Sequence, residues 1–360
     1  MTDDKQHEKF LLKEGDIVIA RTGATSGYAK TIKKHPEAVF ASYLVRIRIN
    51  DDHDWRYVGL VVESDEYKRY IKSVIGGAAQ PQANAQVLTS FPVPLPSLPV
   101  QRKIAAILSA YDDLIENNTR RIQILEEMAR DLYREWFVNF RFPGHEKVKM
   151  VESELGPIPE GWRVGTLKDL VECRRDSTRA GDHLSNRAYV PIDCIPRRSL
   201  TLLQAKSWEE AKSSLQLFEE NDILFGAMRP YFHKVVIAPF KGVTRTTCFV
   251  LRPHRPELLG YVLLTMFQEA TVKFATAHSQ GATIPYAVWD GSLADMKVVL
   301  PYESLLLRFN NLVSPMLQML KRALPKIRNL RKTRDLLLTK LISGGLNVSE
   351  LDITTEGLEP

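Results

Sequence analysis

The sequence predicts an α+β chain in which two mixed α/β globular units alternate with two long coiled-coil helices. Two observations predict it. First, an apolar seam with steps of three and four occurs twice. One copy is Leu108, Tyr111, Ile115, Asn118, Ile122, Leu125, Ala129, Leu132 and Trp136. The other is Val313, Met316, Leu320, Ala323, Ile327, Leu330, Arg334, Leu337 and Leu341. A seven-residue repeat held over about four heptads marks coiled-coil helices rather than ordinary surface helices. Second, the two copies belong to an internal repeat at an offset of about 205, since Leu95-Pro96 precedes the first and Leu300-Pro301 the second. A repeat on this scale decides the architecture.

Taken in order, Glu14-Gly15-Asp16-Ile17-Val18-Ile19 reads as a turn and a buried strand, and recurs as Glu220-Asn221-Asp222-Ile223-Leu224-Phe225. Ser42 to Ile47 is a second strand and recurs as Thr247 to Arg252. Gly77-Ala78-Ala79-Gln80-Pro81 recurs as Gly281-Ala282-Thr283-Ile284-Pro285, each about fifteen residues before its Leu-Pro. Pro99 suits the first turn of helix one, and Ser343-Gly344-Gly345 ends helix two with residues that turn left-handed. Pro315 and Pro325 each remove a backbone donor inside the second pattern. Ser314-Pro315 therefore reads as a helix start preceded by a short helix, and Pro325 as a kink. Asn118 and Arg334 interrupt the seams. Two readings stand: they fix register, or they lie at a wet edge.

Arg141-Phe142-Pro143-Gly144-His145 carries turn punctuation and opens a polar linker to about Gly156. Gly161-Trp162 opens the second unit some sixty residues before Asp222, whereas fifteen residues precede Asp16. The first unit is therefore expected to be N-terminally short by roughly 45 residues. The expected division is 1–98 for the first unit, 99–141 for helix one, 142–156 for the linker, 157–300 for the second unit, 301–345 for helix two and 346–360 for a tail.

Composition bounds the function. Hydrophobic residues are 44% and charged residues 26%, which supports a buried core. Lys+Arg exceeds Asp+Glu by 49 to 43, a net +6 that permits a nucleic-acid partner without demanding one. A charged N-terminus and the absence of a membrane-length apolar run predict a cytoplasmic protein without a membrane partner. Cys173, Cys194 and Cys248 have no CxxC spacing, so free thiols in a reducing compartment are expected. There is no phosphate loop, since Gly23-Ala24-Thr25-Ser26-Gly27 lacks the following Lys, and no GxGxxG. Glu66-Tyr67-Lys68 reads as a helix face, and the eight His are scattered. No catalytic, cofactor-binding or metal-ligating set is assembled by spacing. A methyltransferase or nuclease fragment is disfavoured.

The order of units and helices resembles the specificity subunit of Type I restriction–modification systems. The strings that carry the resemblance are Gly15–Ile19 with Arg21-Thr22-Gly23-Ala24-Thr25, Leu95–Ile104, and Leu155-Gly156-Pro157-Ile158-Pro159-Glu160-Gly161-Trp162. Further strings are Asp222–Phe225 followed by Arg229-Pro230-Tyr231-Phe232-His233-Lys234, and Arg334–Leu337 followed by Lys340–Gly344. The resemblance implies two mixed α/β target recognition domains separated by two long antiparallel coiled-coil helices, pairing 101–138 with about 304–342. It implies a non-catalytic subunit that reads a bipartite site in double-stranded DNA. It also implies two modification (methyltransferase) subunits and restriction (ATPase/nuclease) subunits as partners. S-adenosylmethionine and ATP/Mg are then expected on those partners and no cofactor on this chain. The short first unit departs from the pattern, and leaves a coiled-coil scaffold or regulatory subunit with impaired reading as the alternative.

DNA reading needs Lys and Arg for phosphates and a few Arg, Asn or Gln for base edges. The candidates are Arg21, Lys30, Gln82 and Asn84 in the first unit, and Arg174, Arg175, Arg197, Arg229, Lys234 and Arg245 in the second. His233 is either a DNA contact or a structural group. Trp136, Phe137 and Leu341 are candidates for docking other subunits, with burial under the globular units as the other reading. Helix two is basic from Lys321 to Lys340, where Asp335 is the one acidic residue. Helix one is rich in acid, which favours pairing between them.

Overall fold

The computed structural model describes residues 10–34, 37–75 and 83–355. The first Gly-Ala-rich string and the candidate Gln82 lie outside the described residues. The chain divides into two compact units, residues 1–117 with 328–360, and residues 118–327. The first long helix runs Leu98–Tyr133 and continues as a π-helical turn, Arg134–Val138; the second runs Glu303–Ile342. The fold is α+β with paired long helices, as the heptads predict.

In the first unit β1 (Ile17–Ala20), β2 (Ala29–Thr31) and β3 (Leu44–Ile47) form an antiparallel sheet ordered β2-β1-β3. The β-branched run Ile17-Val18-Ile19 is buried, as a strand covered on both faces requires. Two helices, Trp55–Glu63 and Asp65–Ile75, complete its core. Asp54 caps the first by accepting from the Arg56 and Tyr57 amides at 2.9 and 3.0 Å. Gly59 lies against Thr31, where a Cβ would approach Oγ1 to 2.3 Å. The long helices pair antiparallel here: Lys103 Nζ donates to the Ser349 carbonyl at 2.7 Å and Arg334 meets Asp112 at 3.0 Å. Leu108 and Leu341, both seam residues, are buried in the same cluster. Gly344, at φ +72, ends the second helix.

The second unit is larger. After the hairpin of β4 (Met150–Val151) and β5 (Ile158–Pro159) come β6 (Arg163–Thr166), β7 (Val171–Arg174), β8 (Ser177–Thr178) and β9 (Ala188–Tyr189). Then follow β10 (Leu215–Phe218), β11 (Ile223–Gly226), β12 (Val235–Ile237), β13 (Gly242–Arg245), β14 (Cys248–Pro253) and β15 (Lys297–Leu300). Two four-stranded sheets result, β8-β10-β13-β9 and β12-β11-β14-β7, with β15 pairing β6. The helix Leu259–Met266 is apolar all round and buried, as a core helix should be. Phe309 of the second long helix packs on Tyr133, Trp136 and Phe137 of the first, at 6.2, 5.7 and 4.7 Å between ring centres.

The internal repeat is present atom for atom. Asp16 accepts from the Lys13 amide at 2.9 Å and from Arg48 Nε at 2.9 Å. Asp222 accepts from the Glu219 amide and from Arg252 Nε, both at 2.7 Å. Each aspartate is 1–2% exposed and follows a left-handed residue, Gly15 at φ +83 and Asn221 at φ +74. β1 pairs β3 with Ile17 opposite Ile47, and β11 pairs β14 with Ile223 opposite Leu251. Tyr57 donates its hydroxyl to the Pro94 carbonyl, and Tyr261 donates to that of Val299.

The separate short helix before Pro315 is a correction. The second long helix runs through Pro315 and Pro325 without a break. Both prolines lie on the exposed face of the helix, where their rings displace no core side chain. Val313, Leu317 and Leu320 are buried on the other face and hold the helix together.

Candidate nucleic-acid interface

Three loops of the second unit are tied to one another by backbone hydrogen bonds. In the first, Arg198 is left-handed (φ +55) and donates its amide to the His233 carbonyl at 2.9 Å. In the second, Arg229 and His233, both at φ +52, flank the tight turn Pro230–Phe232. The third is the hairpin Gln280–Tyr286, whose end residues exchange two bonds of 2.8 Å, and whose Pro285 carbonyl accepts from the Arg229 amide at 2.8 Å. Left-handed conformation in a residue with a side chain costs of order 1–3 kcal/mol, and persists where surroundings over-determine it. Three such residues in one cluster mark a built feature.

His233 is the brace. It is 4% exposed, and its Nε2 lies 2.8 Å from the Phe267 carbonyl. A carbonyl only accepts, so Nε2 carries the proton. Nδ1 faces Glu269 at 3.4 Å, and Glu269 also takes Arg198 at 3.1 Å. Burial, the largest influence, holds the imidazole below its ordinary pKa of 6.5. The folded state therefore binds fewer protons than the unfolded state around and below that value, so the His233 contribution is present above 6.5 and is lost as pH falls from there through the lower folded-state pKa. In NMR titration the His233 ring is expected to titrate with a midpoint under 6.5. A midpoint at or above 6.5 contradicts this placement.

On this frame Arg197 lies over the Phe232 ring at 3.9 Å. Tyr231, Ile284 and Tyr286 are exposed. Arg197 and Arg229 have no ion-pair partner among the described residues. Cationic and aromatic groups held by strained backbone suit phosphate and base contacts.

The other candidates are placed as follows. Arg245 sits exposed at the end of β13 without an ion pair among the described residues. Arg174 is taken by Asp176 and Glu172 at 3.0 and 3.2 Å, and Arg175 by Asp290. Lys234 donates to the Ile192 carbonyl at 2.6 Å. In the first unit Arg21 is half-buried, Lys30 is exposed near Glu63 at 3.9 Å, and Asn84 caps the helix Ala85–Thr89 by accepting from the Val87 amide. Trp136, Phe137 and Leu341 are 6%, 6% and 3% exposed, so their side chains face the chain's own interior. Of the two readings the sequence left open for them, the structure shows burial. Sequence reading missed Tyr231 and Tyr286. The Arg-Pro-Tyr-Phe-His-Lys string pointed at the loop but not at its exposed aromatic.

Neither Cys173 nor Cys248 is an activated thiol. Burial pushes the Cys173 and Cys248 thiols up to about 11, which keeps both neutral at pH 7. Among the described residues no group of three or more His, Cys, Asp or Glu is placed to hold a metal ion, and no helix is long and apolar enough to cross a membrane.

Residues 3–127 match the family model described as "Type I restriction modification DNA specificity domain". The chain is 26% identical over 306 residues to the Type I restriction enzyme MjaIX specificity subunit of Methanocaldococcus jannaschii, covering 82% of this chain and 70% of that one. It is 35% identical over 172 residues to the putative MjaX specificity subunit of the same organism, covering 46% and 40%. A solved structure, the Type-I restriction-modification system S subunit from M. genitalium, aligns with a TM-score of 0.57 at 15% identity, over 93% of this chain and 84% of that one; that likeness is one of fold. With the duplicated lobes and paired helices, these matches make the chain similar to Type I restriction–modification specificity subunits over most of its length, with the DNA specificity domain matched over residues 3–127.

Proposed function

We propose that this chain reads a two-part site in double-stranded DNA and directs adenine methylation or cleavage by partner subunits, without chemistry of its own. The observation that carries the reading is the braced three-loop cluster of the second unit, with Arg197 and Arg229 uncommitted to carboxylates. The duplicated Asp–Arg and Tyr–carbonyl framework supports two recognition lobes, hence two half-sites. The partners are two modification subunits and the restriction subunits, acting in the cytoplasm. S-adenosylmethionine and ATP/Mg belong to those partners. The long helices expose apolar residues in the second unit, Ile124, Met128, Leu312 and Met319. These, rather than Trp136 and Phe137, are offered for subunit docking.

Selection from a randomised duplex pool by the chain assembled with its modification subunits tests the reading. Two short specified blocks around an unspecified gap are expected. Enrichment of no sequence favours the scaffold alternative.

A further inference from the structure

We propose that Glu126, on the first long helix, is a positioning residue for DNA reading: its carboxylate fixes the loop that presents Arg197. The inference rests on the function proposed above and extends it from the loops to the helix behind them.

Glu126 occupies a position where this helix otherwise buries apolar or aromatic side chains. Inside the second unit its inward residues from 122 to 136 are Ile122, Glu126, Ala129, Tyr133 and Trp136, at steps of four and three. A carboxylate at such a site loses its water, a cost that only hydrogen bonds or an opposite charge offset. Glu126 is 4% exposed and has no ion-pair partner among the described residues.

Both compensating bonds come from one loop. Glu126 Oε1 accepts from Ser199 Oγ at 2.8 Å and from the Leu200 amide at 3.1 Å. The Ser199 hydroxyl oxygen accepts from the Thr201 amide at 3.2 Å, so its one proton is committed to Glu126. Leu200 is fully buried. An apolar side chain at 126 would leave the Leu200 amide without its acceptor, at the cost of an unmade buried hydrogen bond.

The hold reaches the reading loop within two residues. The Leu200 carbonyl accepts from Ile237 of β12 at 3.0 Å, which pins that residue on its other side. Arg198, just before Ser199, is the left-handed residue whose amide meets the His233 carbonyl. Arg197 precedes it, exposed, over the Phe232 ring. One turn along the helix Arg130 lies over the Phe267 ring at 5.7 Å, and the Phe267 carbonyl holds His233 Nε2. Residues four apart share a helix face, so adjacent turns of one face grip both loops that meet at Arg198 and His233. A loop held in its binding conformation beforehand loses less freedom when the ligand arrives, and affinity rises accordingly.

The chain assembled with its modification subunits, and the duplex that selection yields, provide the test. Glu126→Ala should weaken binding of that duplex by at least about fivefold. Glu126→Gln, whose amide oxygen can accept both bonds, should bind within about twofold of the parent. The Glu126→Ala, Arg197→Ala double variant should bind within about twofold of Arg197→Ala alone, because a positioning residue acts only through the group it positions. Ser199→Ala removes one of the two bonds from a half-buried side chain; it should show the same pattern in smaller degree, and it carries the test if Glu126→Ala does not fold. Amide exchange reads the hold without DNA. The Leu200 and Arg198 amides should exchange at least about tenfold faster in Glu126→Ala than in the parent or in Glu126→Gln. Additive losses in the double variant, a Glu126→Gln chain as weak as Glu126→Ala, or an unchanged Leu200 amide overturns the proposal. An Arg197→Ala chain that binds like the parent sinks the DNA reading and the inference with it, and is told apart because the exchange difference persists.

Discussion

Phe137→Ala is expected to lower the stability of the second unit by about 3–5 kcal/mol, the usual range for emptying a buried phenylalanine site. Phe137 is 6% exposed and its ring centre lies 4.7 Å from Phe309, 4.8 Å from Tyr261, 5.2 Å from Tyr133 and 5.9 Å from Trp162. It thus joins both long helices to the lobe inside this unit. Edge-to-face aromatic pairs add to the area lost, and neighbouring rings of this size cannot collapse into the space. Urea unfolding followed by tryptophan fluorescence reads the loss. Ile124→Ala, at an exposed site, should change stability by less than about 0.5 kcal/mol while weakening assembly with modification subunits. A Phe137→Ala chain of near-native stability that fails only in assembly would return this residue to a docking role.

The second expected result separates committed from uncommitted arginines. Arg229→Ala and Arg197→Ala should each weaken binding to the preferred duplex by about 1–3 kcal/mol, or roughly 5- to 150-fold. If the lost contact is to a phosphate, all sequences weaken and the salt slope falls by about one; if it is to a base edge, preference relaxes at that position. Arg174→Ala should bind within about twofold of the parent, because Asp176 and Glu172 already take its guanidinium. Equal losses at Arg174 and Arg229 would break the link between free arginines and DNA.

Much of this fold was legible because it rests on local periodicity. The seam residues Leu108, Ile122, Ala129, Val313, Leu320 and Ile327 are all buried. The strings around Asp16 and Asp222 repeat because each aspartate closes the same turn and binds an arginine one strand away. The path through Pro315 was not legible, since a proline's cost depends on whether its face is wet. Nor was the use of Lys234 and Arg174, because a charge in a string does not reveal the carbonyl or carboxylate that folding brings beside it. The loops of the candidate interface come from positions near 198, 231 and 284, which meet through backbone hydrogen bonds that no local string reveals. Phe137 looked surplus to one seam because its partners Tyr261 and Trp162 lie outside both long helices.

Methylome sequencing after co-expression with modification subunits tests the two-reader account most directly, using the parent chain and a chain whose residues 157–298 come from a relative. The account predicts adenine methylation at a gapped, two-part site in the parent. The exchange should change one half of that site and leave the other half as it was. A continuous, ungapped site, or an exchange that alters both halves together, would contradict it.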